Sequence, residues 1–148
     1  MSSTGVAALF AFVAGLGGAI QIAVQGRLSD RVGSLEALAT ATVVAAGCSV
    51  AVVLVARRSL GGVGEGLTGP PWLLLGGAMS AVIVLSITVA GPRIGIVATS
   101  AILIAAQFAL AAAIDRFGWF GVERAPISWQ RMLGIALLAA GAALTLKR

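Results

Sequence analysis

Three glutamines, one serine and one arginine are the side chains of this 148-residue chain best placed to bind a solute: Gln21, Gln25, Ser100, Gln107 and Arg93. An amide offers two donors and an acceptor but cannot titrate, so it can read a hydroxyl, a carbonyl or an anionic oxygen without exchanging a proton. Arg93 would add a fixed positive charge if it reaches inward from its short turn. Nothing in the chain adds bond-making chemistry. His is absent, Cys48 stands alone in an apolar run, and no nucleophile–base set or Gly-rich phosphate loop occurs. No catalytic residue, metal site or cofactor is therefore expected, and the chain does not read as an enzyme.

The elements that must position these residues are hydrophobic. Apolar types make up 59% of the chain and charged types 10%, and the mean hydropathy is +1.08. Fifteen charges cannot cover the surface of a soluble fold of this length, which excludes soluble enzymes and disordered chains. The net charge of +5 is spread singly or in pairs between apolar stretches, so no nucleic-acid partner is expected. Stretches of about 20 apolar residues are long enough to span the roughly 30 Å hydrocarbon core of a bilayer. Five are predicted, at about 5–25, 35–56, 72–90, 94–114 and 128–146. A glycine-rich loop from Gly61 to Gly69 separates the second from the third. The third and fourth are joined by a short turn, Gly91-Pro92-Arg93, and the fourth and fifth by a connection from Asp115 to Ile127. The remaining residues are too few for an extramembrane domain. The fold class is therefore an all-α membrane bundle in one multi-pass domain, 1–148, with membrane lipid around it. The first span has no preceding Lys or Arg and no small-residue cleavage site, and reads as retained rather than as a signal peptide.

Helical spacing assigns faces. Ala14, Gly17, Gly18, Gln21 and Gln25 share one face of span one. Ala101, Ala105, Ala109 and Ala113 recur every four residues in span four, the small-residue pattern that lets helix backbones approach closely in lipid. They are the expected helix or dimer packing surface, and Ser100 and Gln107 lie away from them. The competing structural role for Gln21 and Gln107 is interhelical hydrogen bonding. Thr40, Thr42, Ser86 and Thr88 are expected to bond their own backbone four residues back. Glu36, in the first turn of span two, suits a capping role.

Asp115 ends span four and Arg131 begins span five, each with the wrong sign for its helix dipole. Both fall on one side of the membrane, and pairing would relieve both misfits. The positive charges are also distributed evenly. With five spans, Arg57, Arg58, Arg116, Arg124 and Arg131 lie on one side, and Arg27, Arg31, Arg93, Lys147 and Arg148 on the other. Orientation follows the excess of Lys and Arg in short loops, and here there is none. A single orientation set by another signal is one outcome. Insertion both ways, with pairing to an inverted twin, is the other.

The run Gly91-Pro92-Arg93-Ile94-Gly95 with its continuation to Gln107, the segment Ile114-Asp115-Arg116-Phe117-Gly118 with Gly121, and Arg131-Met132-Leu133-Gly134 leading to Ala140-Gly141 resemble the YdcZ-type proteins of the drug/metabolite transporter superfamily. Gln21 and Gln25-Gly26-Arg27-Leu28 match more loosely. Ala19, Gln25 and Arg116 depart from the residues common there, which are Pro, Asn and His. The resemblance implies a five-helix half of a ten-helix inverted-repeat transporter in the bacterial inner membrane. In such transporters the site lies near the midplane between the halves. The related small multidrug exporters carry a carboxylate in the first helix, whereas this chain has glutamine there. Proton coupling would have to come from Glu36 or Asp115.

The expected function is a subunit of a small-solute transporter, acting as an antiparallel homodimer by alternating access. The substrate-binding set would be Gln21, Gln25, Gln107, Ser100 and Arg93. A dimeric small-ion channel and a non-transporting subunit of a larger complex are the alternatives.

Overall fold

The computed structural model describes residues 3–126 and 128–146. Ile127, which ends the predicted connection, and the terminal Lys147 and Arg148 lie outside the described residues. Among the described residues the only regular structure is helix, with no strand. Six α-helices follow one another: α1 (Ser3–Val32), α2 (Ser34–Arg57), α3 (Gly61–Thr68), α4 (Leu75–Ile94), α5 (Ile96–Phe117) and α6 (Trp129–Thr145). Short 3-10 turns at Pro71–Leu74 and Trp119–Gly121 precede α4 and follow α5.

Four helical segments are long and apolar enough to cross a membrane: Thr4–Val32, Ser34–Arg57, Pro71–Ile94 and Ile96–Phe117. That is one fewer than the five spans expected. The predicted fifth span is helical, but α6 has only 17 residues, about 26 Å at 1.5 Å per residue.

The helices also end or begin elsewhere than the predicted spans and connections in three places. Helix α1 runs seven residues past Gln25, through Arg27, Asp30 and Arg31, because no Gly or Pro interrupts it after Gly26 until Gly33. The Gly61–Gly69 loop contains a helix, α3. Val63 and Gly64 donate to the Leu60 carbonyl at its start, and Thr68 Oγ1 donates to the Gly64 and Glu65 carbonyls at its end. Gly91-Pro92-Arg93 is not a turn but the last part of α4, with Pro92 inside the helix. The chain breaks three residues later, at Gly95.

Gly95 has a counterpart. Single glycines join α1 to α2 and α4 to α5, with φ/ψ of 96°/157° at Gly33 and 85°/164° at Gly95. An L side chain rarely adopts so positive a φ, which is why glycine stands at both joints. Each joint follows an arginine by two residues, in Arg31-Val32-Gly33 and Arg93-Ile94-Gly95. Each glycine carbonyl then accepts the first bond of the next helix, from Ala37 N–H at 3.0 Å and Thr99 N–H at 3.1 Å. Both acceptors' partners, Ala37 and Thr99, are buried.

The chain divides into two compact units, one formed by Met1–Ile22 with Ile94–Arg148 and the other by Ala23–Arg93. In the first, α5 packs along α6. In the second, the buried positions fall late in α1 (Gln25, Gly26), early in α2 (Ala37) and late in α4 (Ile87, Thr88, Gly91). Gly26 of α1 lies against Pro92 of α4, where a Cβ would stand 3.5 Å from Pro92 Cγ, at ordinary van der Waals contact.

Candidate functional site

The polar residues of the membrane-spanning helices divide sharply by burial. Thr40, Thr42, Ser86 and Thr88 donate to the carbonyls of Glu36, Leu38, Val82 and Val84 at 2.6–2.8 Å, the local bonding expected of hydroxyls in a helix. Thr88 is fully buried, and its hydroxyl is nonetheless satisfied. Thr99, which sequence reasoning did not single out, is buried and bonds the Gly95 carbonyl at 2.8 Å.

Gln25 differs from all of these. It is only 4% exposed, and its Nε2 has no hydrogen-bond partner among the described residues. An unsatisfied buried amide donor costs about 1–3 kcal/mol. Gln25 lies in the second unit, next to the glycine at which α1 meets Pro92 of α4. Arg93 belongs to the same unit and is exposed.

The other three candidate residues lie in the first unit. Ser100 is half-buried and lines a cleft of about 530 Å³ together with Ala19 of α1, Ala101 and Ile104 of α5, and Gly141 and Thr145 of α6. The cleft is mainly apolar, and its hydroxyls come from Ser100 and Thr145. Gln21 and Gln107 are exposed and do not line it. Of the predicted packing ridge, Ala101, Ala105 and Ala113 are half-buried, while Ala109 is exposed.

At the far end of the same two helices, Arg131 Nη1 donates to Asp115 Oδ2 at 3.1 Å. The pair lies at the mouth of a second α5–α6 cleft of about 490 Å³, walled by Phe108, Ala111, Ala112, Ile135 and Leu138. Ser128 caps α6 by accepting from Arg131 N–H at 3.3 Å. Glu36 occupies the first turn of α2, but no side chain makes a cap hydrogen bond at Gly33. Its carboxylate folds over the glycine, with Oε2 2.6 Å from where a Cβ would stand. Its contribution there is charge near the helix N-terminus.

The helices, the spans and the near absence of charge within them describe a multi-pass membrane protein. A family model described as "Putative inner membrane exporter, YdcZ" matches residues 6–144. The chain belongs to this family. No curated relative and no solved structure matches it. Membership of the YdcZ family agrees with the four membrane-capable helices and makes the chain a multi-pass inner-membrane protein. No group of three or more His, Cys, Asp or Glu able to hold a metal occurs among the described residues.

Proposed function

We propose that this YdcZ-family protein is one subunit of a small-solute exporter, working as an antiparallel homodimer by alternating access. The family description supports export across the inner membrane. The observation that carries the binding role is Gln25, a buried amide whose donor finds no acceptor among the described residues. Retaining such a group costs stability unless a ligand supplies the acceptor, and intramembrane polar groups of this kind mark substrate paths. Gln21, Gln107 and Ser100 are proposed as further solute contacts on the chemistry of their amides and hydroxyl, and Arg93 as a counter-charge for an anionic substrate. No carboxylate lies mid-span, so the site suits a neutral polar solute or an anion and not an organic cation. In this reading α6 is the fifth span, since 17 residues is the lower limit for a crossing.

Gln25→Leu tests the binding role. Removing an unsatisfied donor should leave the thermal stability of the purified protein unchanged or raised, while solute binding or export is lost. Reduced stability with unaltered transport would make Gln25 a structural residue and sink the reading.

A further inference from the structure

We propose that the cleft at the α5 end of the first unit binds the headgroup phosphate of an anionic phospholipid. The cleft has a volume of about 460 Å³ and is lined by Arg116, Phe117, Arg124, Ala125 and Pro126. Two arginines line it, and neither Asp115 nor Glu123 does. The carboxylate nearest in sequence to Arg116 is otherwise engaged, because Asp115 pairs with Arg131. Among the described residues, no ion pair joins Arg116 or Arg124.

The second arginine is held beside the first by the backbone. Ala125 N–H donates to the Asp115 carbonyl at 2.9 Å, which folds the segment after Gly121 back onto the end of α5. Gly118 has a φ of +68°, and a Cβ there would stand 2.8 Å from Arg124 Cγ. The Arg124 stem therefore lies across the space that a side chain at 118 would occupy. Two arginines on one cleft, without an ion-pair partner among the described residues, can offer bidentate donors to phosphate oxygens. The carbonyls ending α5 oppose an anion, and Arg116 in the last turn offsets them.

Depth selects the lipid. Helix α5 is one of the membrane-capable helices and ends at this cleft. Phe117 stacks on Trp119 with centroids 5.3 Å apart, and Trp129 is exposed nearby in sequence. Aromatic side chains at a span end mark the headgroup level. The phosphate held there at high local concentration is that of the bilayer, and basic pockets at this depth take anionic headgroups.

The test is lipid retention by native mass spectrometry, with purified protein equilibrated in equal amounts of phosphatidylglycerol and phosphatidylcholine. The wild type should retain phosphatidylglycerol with a preference of up to roughly thirtyfold, the scale expected for two arginines at a headgroup. R116Q/R124Q should bring the preference close to parity. R57Q/R58Q, which removes the same charge from the end of α2, should keep it. Arg124 stands outside every helix, so R124Q alone should cut the preference several-fold even if the double variant does not fold. Equal retention of both lipids by the wild type would overturn the proposal, as would equal loss in the two double variants. Displacement of the lipid by millimolar inorganic phosphate would overturn it in favour of a free-anion site.

Discussion

Arg131 and Asp115, sixteen residues apart, join the start of α6 to the end of α5 through a single hydrogen-bonded ion pair of 3.1 Å. Each charge is misplaced on its own helix, a cation near an N-terminus and a carboxylate near a C-terminus, and each becomes favourable only through the other. The pair therefore fixes the order in which the two helix ends meet.

A double-mutant cycle measures that dependence. Both side chains are more than a third exposed or close to it, at 51% for Arg131 and 36% for Asp115. The coupling should therefore be small, about 0.5 kcal/mol, as for partly solvated ion pairs. D115A and R131A should each destabilise the protein, and the double variant should lose less than their sum. Additive losses would show that the contact contributes nothing.

The two glycine joints should reject side chains that glycines within helices accept. Gly33→Ala and Gly95→Ala force a Cβ onto a backbone at φ of +96° and +85°, which should cost about 1–2 kcal/mol each. A Cβ on Gly47 or Gly76 meets nothing within 4 Å, and alanine there should be neutral or stabilising by up to about 1 kcal/mol. Thermal melts of the four variants in one detergent check both halves. Equal effects at joint and mid-helix positions would contradict the assignment.

Topology separates four crossings from five. If α6 crosses, the Lys and Arg residues divide equally, and C-terminal reporters should give signal on both sides of the membrane. If α6 stays on one side, Arg57, Arg58, Arg116, Arg124, Arg131, Lys147 and Arg148 face only Arg27, Arg31 and Arg93. That excess would enforce a single orientation with both termini in the cytoplasm. The expected result is signal on both sides. A C-terminal reporter confined to one side would remove the antiparallel dimer, and an N-terminal reporter confined to that same side would remove the fifth crossing as well.

The alanine ridge of α5 offers a test of the dimer. Ala109 is exposed within the chain, while Ala101, Ala105 and Ala113 are half-buried, so the ridge has surface left for a partner. Ala105→Leu should weaken the dimer in detergent, measured by cross-linking or size, with the helical content intact. An unchanged dimer would place that face against lipid.

Burial in the sequence is legible where one residue decides it and illegible where neighbours do. Asp115 and Arg131 could be paired on paper because the helix dipole makes each unfavourable alone. The hydroxyls of Thr40, Thr42, Ser86 and Thr88 were equally readable, since a helix always offers a carbonyl four residues back. The ends of α1 and α4 were not, because hydropathy marks where lipid stops and not where a helix stops. Pro92 only removes one donor near a helix end, whereas Gly95 changes the sign of φ, and it is Gly95 that breaks the chain. The contrast between buried Gln25 and exposed Gln21 was equally hidden. The two share a helical face, and Gln25 adjoins Gly26, where α1 meets Pro92 of α4. The Arg116–Arg124 cleft depends on the Ala125 to Asp115 backbone bond, which leaves no trace in composition.

Among the described residues, the buried apolar side chains are Ile22, Ala37, Ile87, Ala98 and Ala142, three of them single methyl groups, while large apolar side chains such as Phe10, Phe12, Val43, Val55, Val97 and Trp129 face outward. Little apolar area is thus withdrawn from the surroundings by intrachain contacts. The medium is in effect a component of the native state. Exchanging one detergent or lipid for another alters the reference free energy at nearly every outward residue at once, so it can outweigh a point substitution. Variants of this protein are comparable only within one amphiphile, and a ranking of amphiphiles by its melting temperature reports on them as much as on the chain.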